Sequence, residues 1–77
     1  MTTPRAEIAA NVRAEAGRRR VTQADIARHL TLDRSSMAKR FNGQRDFTAV
    51  EIALISRFLD VSPEALLHCR AQVARAS

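Results

Sequence analysis

Residues 22–43 read TQADIARHLTLDRSSMAKRFNG, and this stretch predicts two short helices joined by a tight bend. Thr22 is a favoured N-cap residue, and Asp25 lies three positions later, where its carboxylate can reach the free amides of the first turn. Asp33 can cap the second helix in the same way, and Gly43 can end it. We therefore predict one helix over 22–30 and a second over 33–42.

Start signals of the same kind precede three further helices. Pro4 suits the first turn of a helix, because the backbone donor that proline lacks has no partner there. Thr48 and Glu51 form a T-x-x-E capping box, and Ser62 before Pro63 can cap a last helix. Apolar residues recur at helical spacing within these segments. The predicted helices span 4–16, with Gly17 as the end of the first, 48–59 and 62–72.

The composition agrees with an all-α fold in a single domain over residues 1–77. The chain has 77 residues, with no Trp or Tyr, three Phe and 45% hydrophobic residues. Sheets favour β-branched and aromatic residues, so this balance suits helices better. A chain this short buries only about 60% of its unfolded surface, and its stability must come from close helix packing. Ile52, Ile55 and Leu59 form a wide apolar stripe, which we predict to be the centre of the core.

The sequence lacks the signals of several other classes of protein. No apolar run approaches the roughly 18 residues of a membrane span, and no apolar signal segment is seen, so we expect no membrane association and a cytoplasmic location. The single cysteine, Cys69, cannot form an internal disulfide. No catalytic pair, phosphate-binding glycine loop or metal-ligand set is evident. We expect no enzyme activity, no cofactor, no metal and no small-molecule ligand.

Positive charge is concentrated in one part of the chain. Residues 18–45 contain eight Lys or Arg and two acidic residues, a net charge of +6, whereas the remaining residues sum to −1 within the overall +5. A polyanion is the natural partner of such a segment, because each neutralised phosphate releases counterions. A solvated basic face is the alternative. Both interpretations also apply to the arginine run, in which Arg19 and Arg20 are candidate phosphate contacts.

The helix predicted over 33–42 has an inner and an outer face. At 100° per residue, Phe41 lies about 40° from Met37, whereas Ser35 and Lys39 lie about 160° and 200° from it. Met37 and Phe41 are therefore predicted to face the core. Two helices joined by a short bend form the geometry that presents one helix to a DNA groove. The outward groups that can bond base edges or phosphates are those of Arg34, Ser35, Lys39 and Asn42.

The ordered segments resemble a known family. TQADIA, a bend and SSMAKRFNG are followed by the pattern T-x-x-E-I-x-x-I-S-x-F-L-D-V-S-P-x-x-L-L. Together they resemble the phage repressor and Cro family of helix-turn-helix DNA-binding domains, also called XRE-like, over roughly residues 8–67. The resemblance implies a compact five-helix, lambda-repressor-like domain. Its third helix, the recognition helix, would read the major groove of double-stranded DNA.

The resemblance also implies a set of DNA contacts. Arg34, Ser35 and Lys39 match the positions at which the family reads bases. Gln23, at the start of the second helix, would anchor a phosphate, and Asn42 matches a backbone-contact position. The predicted backbone contacts are completed by Ser36 in the recognition helix, Gln44 and Arg45 in the loop after it, and Arg19 and Arg20.

Two positions of the 22–43 segment depart from the family pattern. Thr31 stands where glycine is usual at the bend, so either the bend differs or a left-handed threonine is strained by about 1 kcal/mol. Arg40 stands where an apolar residue is usual. Its aliphatic stem can cover the core while its guanidinium extends toward Asp46 or a phosphate.

The sequence thus predicts a sequence-specific DNA-binding transcriptional repressor of phage or bacterial type, which occupies an operator as a homodimer. Leu67 and Val73 on the last helix are the predicted dimer contacts, and packing of this surface on the first helix is the alternative. Two other functions stay open. One is the DNA-binding antitoxin or protein-interaction module of a toxin–antitoxin pair, and the other is a recombination accessory factor, because a fold does not decide among functions.

Overall fold

The computed structural model describes residues 3–69. This part of the chain forms five helices and contains no strand. The all-α prediction is confirmed, and the predicted pair within 22–43 is present as the second and third helices. The helices are α1 Pro4–Arg18, α2 Gln23–Leu30, α3 Arg34–Phe41, α4 Ala49–Leu59 and α5 Pro63–Leu67.

Four helices begin at a side chain that accepts a hydrogen bond from the first turn, and such a cap contributes about 1 kcal/mol. Two of these caps are reciprocal, because Asp25 and Glu51 in turn accept from the amides of Thr22 and Thr48. Ser62 occupies the N-cap position of α5, but its hydroxyl makes no capping hydrogen bond, so that prediction is wrong. The four capping side chains are Thr3, Thr22, Asp33 and Thr48.

α1 extends to Arg18, two residues beyond its predicted end, because Gly17 lies within the helix and the chain turns later. Arg20 adopts a left-handed conformation with a φ of 56°. The amide of Val21 then donates to the carbonyl of Ala16 at 2.9 Å, which closes a Schellman motif. The residue that ends this helix is therefore a left-handed arginine rather than the glycine that the sequence offers.

The bend between α2 and α3 has the strained conformation that was one of the two expectations for Thr31. This threonine has a φ of 57° and a ψ of 39°, in the left-handed region that favours glycine. The amide of Leu32 donates to the carbonyl of Ala27 at 2.9 Å, and Leu32 packs against the core. The partial burial of Leu32 offsets the cost of the left-handed backbone at Thr31, which is about 1 kcal/mol.

α5 is shorter than predicted, because it ends at Leu67. His68 is extended, with a φ of −63° and a ψ of 124°. The side-chain amide of Asn11 donates to the carbonyls of Leu66 and His68 at 3.0 and 2.7 Å, and these bonds hold the chain after α5 against α1. The remainder of the predicted helix, residues 70–72, lies outside the described residues.

Each helix contributes one large, fully buried side chain to the core, and burying a side chain of this size stabilises the fold by about 1.5–3 kcal/mol. Ile52, Ile55 and Leu59 of α4 are all buried, so the predicted core stripe is confirmed. Phe58 at the edge of this stripe stays 39% exposed and stacks on His29 of α2. The five largest fully buried side chains are Val12, Ile26, Met37, Ile55 and Leu66.

Candidate nucleic-acid interface

α3 has one buried face and one exposed face, in the arrangement that its sequence predicts. Met37 is 0% exposed, and Phe41 packs against the core. On the other side Ser35 and Lys39 are exposed, with Arg34 in the first turn. The outer face thus presents a guanidinium, a hydroxyl and an ammonium group, all of which can bond base edges or phosphates.

The start of α3 lies beside the start of α2, and an open cleft separates them. Gln23 and Arg34 both line this cleft, which has a volume of about 380 Å³. Its apolar lining comes from Ala24, Ala27 and Leu32. The fold therefore brings together Gln23, predicted to bind a phosphate, and Arg34, predicted to read a base.

The loop after α3 carries three further predicted contacts, Asn42, Gln44 and Arg45, and all three are exposed. Gly43 between them has a φ of 79°, and a Cβ on it would lie 3.4 Å from the Cα of Ala6 in α1. The glycine thus provides both a left-handed backbone and a close approach. As a result the loop lies directly against α1, next to the C-terminal end of α3.

α1 contributes one residue to this region that sequence reasoning missed. The guanidinium of Arg13 donates to the carbonyl of Phe41, the last residue of α3, and so satisfies an acceptor left open at a helix end. Ala6 and Ala9 pack on Gly43. Ala6, Ala9 and Arg13 follow a spacing of i, i+3 and i+7 and so share one face of α1. Two alanines followed by an arginine on one helix face were the sequence signal for this contact.

Several arginines near the α2–α3 pair are neutralised by carboxylates of the chain itself. Glu15 of α1 accepts from both Arg18 and Arg19 at 2.6 Å, and Asp25 accepts from Arg28. A phosphate contact by Arg19 would therefore have to share its guanidinium with Glu15. These exposed pairs hold their arginines along α1 and α2.

The two predicted base-reading cations, and Arg45 among the predicted backbone contacts, have no such partner. Arg34, Lys39 and Arg45 are exposed, and none of them forms an ion pair with a residue in the range 3–69. The same holds for Arg20. Unneutralised positive charge thus lies on the outer face of α3 and in the loops that flank the α2–α3 pair, where it creates an attractive potential for phosphates.

Carboxylates at the starts of α2 and α3 remain ionised. Hydrogen bonding from Thr22 lowers the pKa of Asp25, and hydrogen bonding from Ser36 lowers the pKa of Asp33. Both negative charges lie at the positive end of a helix dipole, which they complement. Ser36, one of the predicted backbone contacts, is half-buried and is tied to this cap through its amide.

Neither a protein-family model nor a curated protein sequence matches the chain, but two solved structures are similar to it. The restriction-modification controller protein C.AhdI from Aeromonas hydrophila aligns with a TM-score of 0.70 and 26% sequence identity, over 79% of this chain and 92% of that chain. The hypothetical transcription factor NHTF from Neisseria aligns with a TM-score of 0.77 and 21% identity, over 97% of this chain and 86% of that chain. The chain has the helix-turn-helix fold of XRE-like transcription regulators. The resemblance seen in the sequence is thereby confirmed.

The sequence led us to expect that the guanidinium of Arg40 extends toward Asp46 or a phosphate. In this helix-turn-helix domain it pairs with Glu51 instead. Its Nε lies 2.9 Å from an oxygen of Glu51, and the side chain is 12% exposed. Asp46 instead accepts from Arg5 at 2.7 Å, and this bond lowers the pKa of Asp46. The prediction is wrong because Glu51 was assigned only to the cap of α4, whereas its carboxylate also faces α3.

The helix-turn-helix domain presents apolar surface as well as basic surface. Leu67, a predicted dimer contact, is 44% exposed at the end of α5, and Val50 on α4 is 69% exposed. Val73, the other predicted dimer contact, lies outside the described residues. The structure therefore leaves a dimer through α5 as a prediction.

The described part of the helix-turn-helix domain carries neither a metal-binding cluster nor a membrane-spanning helix. Residues 3–69 hold no group of three or more His, Cys, Asp or Glu that could bind a metal ion. None of the five helices is long and apolar enough to cross a membrane. Cys69 is 4% exposed, and burial raises the pKa of its thiol, so the thiol is protonated at neutral pH and poorly suited to act as a nucleophile.

Proposed function

We propose that the protein is a sequence-specific regulator of transcription that binds double-stranded DNA with α3 in the major groove. The observation that carries this proposal is the outer face of α3. Arg34, Ser35 and Lys39 are exposed there, and the two cations have no acidic partner within residues 3–69. The helix that bears them is held in the core by Met37.

The proposed contacts divide into base reading and backbone binding. Arg34 and Lys39 can each pair with the two acceptors of a guanine, and Ser35 can bond a base edge. Backbone contacts fix the position of the domain on the duplex without distinguishing sequences. The proposed backbone contacts are Gln23, Ser36, Asn42, Gln44, Arg45, Arg19 and Arg20.

We further propose that the protein acts in the cytoplasm as a repressor of phage or bacterial type. A homodimer would occupy an operator and exclude polymerase, with half-sites about 34 Å apart, which is one turn of the duplex. The similarity to a restriction-modification controller protein supports a regulatory role. It does not favour an antitoxin or a recombination factor.

Selection of bound sequences from random duplexes, repeated at two salt concentrations, tests the proposal. We expect a two-fold symmetric sequence to be enriched at both concentrations, because base contacts discriminate among duplexes while phosphate contacts weaken in salt. Binding that falls steeply with salt and enriches no sequence would contradict sequence-specific regulation.

A separate variant tests the dimer. Leu67→Glu places a charge on the exposed end of α5, and we expect sedimentation to show loss of self-association with the helix content unchanged. Val50→Glu is the matched control, since Val50 is exposed on α4 and is not among the predicted dimer contacts. A Leu67→Glu protein that sediments as a dimer would rule out the α5 interface.

A further inference from the structure

Arg40 and Glu51 form an ion pair across the junction between α3 and α4. The Nε of Arg40 lies 2.9 Å from Oε1 of Glu51, and the two side chains are only 12% and 13% exposed. Among the ion pairs within residues 3–69 this is the one with both side chains so well covered. It links the recognition helix to the helix that carries the core stripe.

The pair is fixed by hydrogen bonds at both of its ends. Oε1 of Glu51 also accepts from the backbone amide of Thr48 at 2.9 Å, so a single oxygen serves both the cap of α4 and the ion pair. The guanidinium of Arg40 donates in addition to the carbonyl of Ser36, one turn earlier on α3, at 3.1 Å. Both charged groups are thus held by the backbone of their own helix.

This arrangement constrains α3 in a way that its apolar contacts do not. α3 has eight residues, and its fully buried side chain is Met37, which is flexible and adapts to small shifts of the helix. A charge-assisted hydrogen bond is directional, and leaving a covered charge without its partner is costly. The Arg40–Glu51 pair therefore opposes a small rotation of α3 about its axis, in addition to the packing of Phe41 on the core and the bond from Arg13 to the Phe41 carbonyl.

We propose that Arg40 and Glu51 are positioning residues that fix the rotation of α3 against α4 and thereby increase discrimination between DNA sequences. The inference rests on the proposed function. Base reading depends on the fixed angles of hydrogen bonds, so an α3 that rotates freely loses contacts to bases before it loses attraction to phosphates. Lys39, the residue adjacent to Arg40, is the base-reading side chain most directly affected.

The double variant Arg40→Met and Glu51→Gln separates positioning from stability. Methionine supplies an apolar side chain of similar length, and glutamine keeps an oxygen that can accept from the Thr48 amide. Replacing both partners of a covered pair leaves no unpaired charge, so the variant stays folded. We expect the ratio of affinities for the selected site and an unrelated duplex to fall about tenfold, the discrimination supplied by one base contact. Affinity for the unrelated duplex stays within twofold.

Two single variants and one measurement without DNA complete the test. Glu51→Gln alone retains the cap and is expected to lower the same ratio to a smaller extent, whereas Arg57→Met, at an exposed residue of α4 without an ion pair in 3–69, leaves it unchanged. Backbone amide shifts recorded without DNA should change in α3 of the double variant and not in α1.

The results distinguish failure of this inference from failure of the proposed function. A double variant that keeps both the wild-type affinity ratio and the wild-type α3 amide shifts overturns the positioning role. Wild-type protein that prefers no sequence overturns the proposed function, and with it the claim about discrimination. The amide shifts then still decide whether the pair positions α3.

Discussion

Two neighbouring residues of α3 carry the same charge in opposite settings. Arg40 is 12% exposed and pairs with Glu51, whereas Lys39 is exposed and forms no ion pair within residues 3–69. About 100° of helix rotation separates them. Net charge therefore describes this surface poorly, because a cation is fully available to a partner only where the fold gives it no carboxylate.

The same contrast extends along the chain. One group of arginines is neutralised internally and connects or lines helices, and a second group of cations is exposed on and around the α2–α3 pair without such a partner in 3–69. The second group is free to bind phosphates or bases, whereas a contact by a member of the first group has to share its guanidinium with a carboxylate. The first group is Arg5, Arg18, Arg19, Arg28 and Arg40, and the second includes Arg20, Arg34, Lys39 and Arg45.

The largest effect is expected on the free energy of unfolding when the covered cation, Arg40, is replaced. Arg40→Met alone leaves the carboxylate of Glu51 covered and without its ion-pair partner, so the free energy of unfolding should fall by about 3 kcal/mol. Urea unfolding followed by circular dichroism measures this loss. Arg57→Met, at an exposed position of α4, is the control and should change little. Equal free energies of unfolding for the two variants would show that the Arg40–Glu51 pair does not stabilise the fold.

A smaller effect is expected where a free cation is removed. Arg45→Ala should weaken binding to all duplexes alike and reduce the slope of log affinity against log salt by about 0.9, the value for one phosphate contact. Titrations at several salt concentrations measure the slope. Arg57→Ala removes one exposed charge on α4, outside the proposed interface, and should leave the slope unaltered. Identical slopes for the two variants would show that Arg45 does not contact a phosphate.

The smallest effect concerns the carboxylates at the starts of α2 and α3. The pKa of Asp25 and of Asp33 is lower in the folded protein than the ordinary value near 3.9. Their contribution to stability is therefore present above about pH 4 and is lost as the pH falls through the lower folded values. Urea midpoints measured between pH 7 and pH 2.5 should decline less steeply for Asp25→Asn than for wild type. Parallel curves would contradict the assignment.

The features that could be predicted from the sequence are those set by residues close together in the chain. Capping boxes at Thr22 and Thr48 join residues three apart, and the inner position of Met37 follows from helical periodicity alone. These local patterns indicate where helices begin and which face of α3 is buried. They were sufficient to predict an all-α chain and the outward face of α3, whereas the lambda-repressor-like fold and the set of DNA contacts were implied by the family resemblance.

The features that the sequence did not predict depend on partners from other elements. α5 ends early because Asn11, 55 residues before Leu66, bonds the carbonyls at its end. The partner of Arg40 lies 11 residues away in α4, at a position already explained by its capping role. Neither bond has a local pattern in the sequence, since each depends on how the helices pack.

The central claim is that the outer face of α3 reads bases, and affinity measurements on Lys39→Ala test it most directly. Wild type and variant are titrated with the selected site and with an unrelated duplex of equal length at one salt concentration. We expect binding to the selected site to weaken by about 1–3 kcal/mol, the value of a bidentate base contact, with a much smaller loss on the unrelated duplex. Equal losses on both duplexes would contradict base reading by Lys39.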